Sequence, residues 1–320
     1  MLNAGIQRKL ESLTQLPTIP FVISEVLGAV DNTNISASRL GNLIERDQAL
    51  TAKVLRVANS PFYGFSRKIS TIDLAIVVMG LNTIKEIVLS LAIQKFFTNI
   101  NPLIFNVKSF WQYSVFCGSC ARLLARKLGY RLVGEAFVAG LMHDIGILII
   151  IQYFYDHFKK IRELIRLQDV SLIRAEKLVL KCTHCDIGAW IAEKWNLPSQ
   201  LCRAIRYHHS TFSEVQSALE FEDSLKINTK QGIEISFSET EQPLTAIVAM
   251  TEWFADEMKF NNWTYEARQS NLYMAGEVLE EISSHDLLNP ESAINALKQE
   301  IIVEYQKASV FNEILLKGRM

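Results

Sequence analysis

Residues 134–148 read GEAFVAGLMHDIGIL, and the reading of this run decides the rest of the chain. Gly134, Ala136, Ala139 and Gly140 make a small-residue helix that can lie close against its neighbours, and Gly146 marks its expected stop. That helix delivers His143 and Asp144 deep between packed elements. An imidazole beside a carboxylate offers one borderline and one hard ligand to a single divalent ion. The same pair is also stable with no metal, as a buried hydrogen-bonded unit that caps its helix. Both readings are open at the level of the residues.

The chain has 320 residues, 49% of them hydrophobic, which suits one large core or two modest ones. A formal net charge of −1 supplies no basic field for nucleic acid or an anionic membrane. The N-terminal MLNAGIQRKLESLTQLP lacks an apolar signal-peptide core, and the longest unbroken apolar run, Ile147 to Ile151, is far short of the ~20 residues of a span. A soluble cytoplasmic protein without membrane insertion is expected. Five cysteines, an odd number, do not make a disulfide framework. Cys117-Gly-Ser-Cys120 lies in a helical run and suits core packing, whereas Cys182-Thr-His184-Cys185 encloses a histidine and admits zinc.

Residues 1–105 read as successive helices. Ser36-Ala-Ser-Arg39 can open one, and Asp47 can cap the next, whose stripe is Leu50, Val54, Val57 and Ala58. That helix breaks at Asn59-Ser60-Pro61. Capping and interhelix hydrogen bonds are the expected work of Arg46, Asp47, Asn59 and Ser60. Two apolar helices follow, parted near Gly80. In FWQYSVFCGSCARLLARKLG, residues Tyr113, Cys117, Cys120 and Leu124 share a face, so Tyr113 points inward and its hydroxyl needs a partner. LPSQLCRAIRYHH ends on His208-His209, which stand ~100° apart on a regular helix, so one of them at most should face a site. Single histidines such as His157 and His285 read as ordinary core or surface residues.

Residues 210–242 are polar. Within them Leu225 and Ile227, then Ile233, Ile235 and Phe237, alternate around Asn228-Thr-Lys-Gln-Gly232, which predicts a small β-hairpin near 224–238 or else a mobile insertion. Helices resume with LTAIVAMTEWFADEM, whose inward face is Leu244, Ile247, Val248, Thr251, Ala255 and Met258. Glu252 lies at the border of that face, able to reach inward or to stay wet.

The spans LPTIPFVISEVL, IERDQALTAKVLRVANSPFYG and ISTIDLAIVVMGLNTIKEIVLSLAI resemble the signature of the HDOD family, the HD-related output domains of bacterial signalling proteins, over most of residues 13–210. The resemblance implies an all-α multi-helical bundle: an N-terminal lobe (1–105), an HD-like lobe (106–209), the polar insertion (210–242) and C-terminal helices completing the HD-like lobe (243–320). It also implies a cytoplasmic bacterial regulatory or adaptor protein whose partners are other signalling proteins, such as histidine kinases or cyclic-dinucleotide enzymes. Self-association is left open.

The second lobe is similar in arrangement to HD-type metal-dependent phosphohydrolases. Carried over position by position, the implied metal set is His143, Asp144, His184, His208, His209 and Glu252, the last standing where aspartate is usual. The ion would be divalent: Fe, Mn, Mg or Zn. Two pocket positions depart from the pattern. Tyr113 stands in Trp111-Gln-Tyr-Ser114 where the family has histidine, and Ile147 follows the dyad where the HD-GYP branch has lysine. The GYP element is also missing after His209. Cleavage of cyclic dinucleotides in that branch's manner is therefore not expected. A degenerate pocket serving a regulator that acts through protein or small-ligand binding is the primary reading, and a divergent phosphohydrolase acting on a nucleotide or phosphomonoester is the alternative.

Overall fold

The structure is a computed structural model. It describes residues 4–12, 37–93, 100–101, 103–210, 224–228, 234–238, 242–260 and 290–317. The span LPTIPFVISEVL, the hairpin turn, His285 and residues 211–223 lie outside the described residues.

The first helices are α1 (Ala4–Ser12), α2 (Ala37–Glu45), α3 (Gln48–Ala58), α4 (Ile72–Met79) and α5 (Leu81–Ile93). Their polar residues are spent on chain geometry. Asp47 caps α3 by accepting from Leu50 N at 2.9 Å. Asn59 donates to the carbonyls of Leu55 and Ile69 and accepts from Ile69 N, so it pins the loop after α3. Ser60 donates to Val57 O at 2.6 Å. The stripe Leu50, Val54, Val57 and Ala58 is buried as its spacing requires.

The second group is built on α6 (Val107–Lys127), buried along almost its whole length. Helix α7 (Val133–Met142) lies against it. A Cβ on Gly140 would stand 2.6 Å from Cys117 O, and one on Gly118 would stand 2.8 Å from Phe137 O. The small residues therefore set the α6–α7 separation. Next come α8 (Ile145–Tyr153), α9 (Tyr155–Gln168), α10 (Leu172–Leu180), α11 (His184–Lys194) and α12 (Ser199–Tyr207). Gly146 does not stop a helix. It lies in the first turn of α8, where its added Cβ would come within 1.9 Å of His184 O, so it is the contact point between α8 and α11. The 21-residue stretch Val133–Tyr153 is long and apolar enough to cross a membrane, but 94% of its most apolar window is buried in the bundle. Its apolarity is that of a core element.

Strands β1 (Ser224–Asn228) and β2 (Glu234–Ser238) pair antiparallel, with Leu225 opposite Phe237 and Ile227 opposite Ile235. The alternation thus forms the hairpin. Helix α13 (Gln242–Glu257) returns to α6, α7 and α12, and α14 (Pro290–Lys307) and α15 (Ser309–Lys317) also pack on α6. Arg122 on α6 stacks 3.7 Å over Phe62, donates to Phe62 O and pairs with Glu304. One side chain so ties the loop after α3 to α6 and α14. Among the described residues the fold is all-helical apart from the hairpin.

Candidate metal centre

Helix α7 ends at Met142 and α8 begins at Ile145, so His143 and Asp144 occupy a two-residue break in an otherwise continuous helical path. Asp144 stands at the N-cap of α8 with ψ 12° and makes no capping hydrogen bond. Its carboxylate is turned into the interior instead. Around it the fold gathers residues from α6, α11 and α13 and from the end of α12.

The histidines are oriented from outside. His143 Nδ1 lies 2.8 Å from Gly140 O, and His208 Nδ1 lies 2.8 Å from Ile205 O. A carbonyl only accepts, so both Nδ1 atoms carry the proton. His184 Nδ1 lies 2.9 Å from Glu176 Oε2, which also accepts from His184 N at 2.9 Å. Helix α11 is fixed there by a capping box between Thr183 and Asp186. In each ring the outer bond holds the Nδ1 proton and turns Nε2 inward, the usual preparation of a histidine whose Nε2 becomes a ligand once it gives up its own proton.

The inward atoms converge on Asp144 and Glu252. His143 Nε2 is 3.2 Å from Asp144 Oδ2 and 3.6 Å from Glu252 Oε1. His184 Nε2 and His208 Nε2 stand 3.1 and 3.6 Å from Asp144 Oδ1. His208 Nε2 is 3.9 Å from Glu252 Oε1, and His209 Nδ1 is 3.2 Å from Glu252 Oε2. Cys185 Sγ lies 3.5 Å from His184 Nε2 and 3.9 Å from His208 Nε2. The Tyr113 hydroxyl closes one side, 3.5 Å from His143 Nε2.

Charge in the cluster follows from these distances. Burial alone would lower the His143 pKa, but Asp144 and Glu252 lift it to about 9. Burial works the same way on His184 and His208, and the neighbouring acidic groups and Cys185 raise both well above the ordinary imidazole value. Burial would raise Asp144, yet His143, with help from His184 and His208, holds it well below the carboxylate range. Burial likewise opposes ionisation of Cys185, and the two imidazoles bring its thiol down to about 7. Burial pushes the Tyr113 hydroxyl well up, so it stays neutral.

These residues fit a divalent ion. Asp144 Oδ1 is buried and has no hydrogen-bond partner, although His184 Nε2 is in range. Such an orphan atom is costly unless something else satisfies it. Ligand bonds of ~2.0–2.2 Å place neighbouring donors about 3.0–3.5 Å apart, and the separations above, 3.1 to 3.9 Å, overlap that spacing at their short end. Two four-residue groups could hold an ion: His143, Asp144, His208 and Glu252, or His184, Cys185, His208 and His209.

The structure brings together all six residues of the sequence-derived metal set. Glu252 does not stay wet; it is 6% exposed and reaches between the imidazoles. Both His208 and His209 turn inward, because α12 ends at Tyr207 and His209 lies beyond the regular helix. Tyr113 faces the site as its stripe predicts, and Ile147 is buried in α8. His157 stays outside the cluster, with its ring edge-on to Phe154. The Cys182-Thr-His184-Cys185 spacing admits zinc, and the structure brings Cys185, but not Cys182, to the cluster; Glu176 is not among the sequence candidates. Glu176 carried a signal: it sits at helical spacing between Leu172 and Leu180, where an unpaired acid would be out of place.

A helical bundle with a His-Asp pair at a helix break, ringed by histidines from later helices, defines an HD-like protein. The chain belongs to the HDOD family, whose domain model matches residues 16–211. A solved HDOD domain protein of unknown function from Geobacter sulfurreducens is 22% identical, with 97% of each chain covered and a TM-score of 0.70. A candidate phosphohydrolase from Shewanella amazonensis is 21% identical, with 98% of each covered and a TM-score of 0.69. A candidate signal transduction protein from Marinobacter aquaeolei is 19% identical, with 97% of this chain and 64% of that one covered and a TM-score of 0.67. These likenesses establish the fold. An uncharacterized Treponema pallidum protein is 24% identical over 210 residues, 65% of this chain, and the match spans 40% of that relative's length.

Proposed function

We propose that the protein is a bacterial signal-transduction module of the adaptor type, in which a divalent ion clamps the helices around Asp144. Its output is contact with other signalling proteins, such as histidine kinases or enzymes of cyclic dinucleotides. The observation that carries this reading is enclosure. His143, Asp144, His184, His208 and Glu252 are each no more than 6% exposed, while Asp144 Oδ1 makes no hydrogen bond. A catalytic ion must keep a coordination position open to substrate, and an enclosed donor set favours a structural one.

The chain's own groups do the positioning. Gly140 O, Ile205 O and Glu176 hold the three Nδ1 protons, so that the Nε2 atoms of His143, His208 and His184 face the ion. Asp144 and Glu252 supply the negative charge, and Tyr113 fills the place of a further histidine with a neutral hydroxyl. When bound, the ion would offset the two carboxylates and, given an open position, would also acidify a water molecule.

The test is metal analysis of the purified protein, followed by phosphomonoesterase and phosphodiesterase screens with Fe, Mn or Mg added. The expected result is bound metal without turnover. Metal-dependent turnover that disappears in His143→Ala would overturn the adaptor reading in favour of a phosphohydrolase. His209 favours that second reading: its side chain keeps 19% exposure and opens one edge of the cluster toward solvent. Protein that binds no metal under reducing conditions would remove the clamp from both.

A further inference from the structure

The two donor groups at this centre differ in chemistry and share one atom. His143, Asp144, His208 and Glu252 offer nitrogen and oxygen, a set open to Mg, Mn or Fe. His184, Cys185, His208 and His209 offer nitrogen and a sulfur. His208 Nδ1 is occupied by Ile205 O, so His208 has only its Nε2 lone pair to give and can complete one of the two sets.

We infer that Cys185 is a metal ligand, and that with His184 and His208 it makes the centre a sulfur-containing site that selects zinc over magnesium and manganese. This rests on the proposal above that the cluster holds an ion. Geometry supports the thiolate. Zinc bonds of ~2.3 Å to sulfur and ~2.0–2.1 Å to nitrogen, at tetrahedral angles, set the two donors about 3.6 Å apart. Cys185 Sγ stands 3.5 and 3.9 Å from the two Nε2 atoms.

Ordinary hydrogen bonding accounts for less of the arrangement. Sulfur is a weak acceptor and its second contact is as long as 3.9 Å, whereas one ion satisfies both nitrogens and the sulfur together. The independent sign of a cation site is Asp144 Oδ1, a buried oxygen without a hydrogen bond that points into the same space, 3.1 Å from His184 Nε2 and 3.6 Å from His208 Nε2. Cys185 is 4% exposed and His184 fully buried, so the sulfur is screened from bulk solvent. Cys182, three residues earlier, precedes the capping residue Thr183 and belongs to neither group.

The test is cobalt(II) titration of the protein purified under reducing conditions, read by absorption. The wild type should show visible ligand-field bands together with a near-ultraviolet sulfur-to-cobalt charge-transfer band. In Cys185→Ser the charge-transfer band should vanish while the ligand-field bands remain, and Cys182→Ser should keep both. Zinc affinity measured against manganese should fall in Cys185→Ser by at least the ~10-fold that loss of an outer hydrogen-bond partner already costs. Cobalt bound without a charge-transfer band in the wild type overturns the sulfur ligand and leaves the ion clamp standing. No cobalt binding overturns both. Should Cys185→Ser fail to fold, zinc X-ray absorption on the wild type decides: one sulfur at ~2.3 Å supports the inference, and a shell of nitrogen and oxygen alone overturns it.

Discussion

Asp47 and Asp144 stand at the same place relative to a helix and do opposite things there. Asp47, with ψ 100°, is extended and folds its carboxylate back onto Leu50 N. Asp144, with ψ 12°, continues the path of α7 and sends its carboxylate away from the amides of α8. An N-cap aspartate normally adopts the extended backbone and satisfies a free amide. A buried one that declines to do so needs charge from elsewhere. Among the described residues, the ion-pair partners of Asp144 are His143, His184 and His208. The first aspartate builds a helix, and the second is held by four of them.

The largest effect that separates the two is on metal. Asp144→Ala should lower metal affinity by more than ~100-fold, since loss of an outer-shell partner alone costs 10- to 100-fold. Equilibrium dialysis measures it, and unchanged loading would remove Asp144 from the centre. Asp47→Ala should leave loading as it is.

Next in size is pH. With no ion bound, His143 keeps its proton up to about pH 9, so an ion must displace that proton to bind. Affinity should therefore climb with pH between the ordinary imidazole value and about 9, by roughly tenfold per unit for each proton released. Titration calorimetry in buffers of different ionisation enthalpy counts the protons. The chelated protein should behave in the reverse sense. His143 has a folded pKa above its unfolded one, so its stabilising contribution is whole below about 6.5 and is lost as pH rises through about 9. Asp144, held low, contributes above its unfolded value and loses that contribution on acidification. Melting temperatures that stay flat from pH 6.5 to 9 in chelator would contradict the His143–Asp144 pairing.

Glu176→Gln comes third. The amide can still accept from His184 N but no longer carries the charge that holds the Nδ1 proton, and metal affinity should drop ~10- to 100-fold with little change in fold. An unaltered affinity would mean that the His184 tautomer is set by something other than Glu176.

What was legible in the sequence follows the same division. Stripes and caps are local, so the α3 helix, the inward Tyr113 and the Leu225–Phe237 hairpin could be read from spacing alone. The donors could be assembled only by resemblance, because they come from separate helices whose approach depends on packing. Gly146 illustrates the difficulty: a glycine after a helical run signals a stop, yet here the missing Cβ admits His184 O. His208 and His209 do the same, since periodicity assumes a helix that continues and α12 ends just before them. Glu176 is legible only as a polar residue on an apolar stripe, and Cys185 as half of a Cys182-Thr-His184-Cys185 spacing whose other cysteine stays out of the cluster. The first description does not contain His184, and the second does not contain His208.

The smallest expected effect tests the Asp47 side of the comparison. Removing its carboxylate frees the amide of Leu50, at a cost of about 1 kcal/mol, within the ~0.5–2 kcal/mol typical of lost N-caps. Asp47→Ala should therefore shift the denaturant midpoint modestly, and Asp47→Ser should restore most of it, because a hydroxyl can accept from the same amide. Asp144→Ser should restore nothing: that position has no capping bond to recover, and a neutral hydroxyl cannot balance three imidazoles. Rescue at residue 47 without rescue at residue 144 is the pattern expected if one aspartate is a helix cap and the other a ligand. Equal rescue at both would mean that Asp144 is a cap after all.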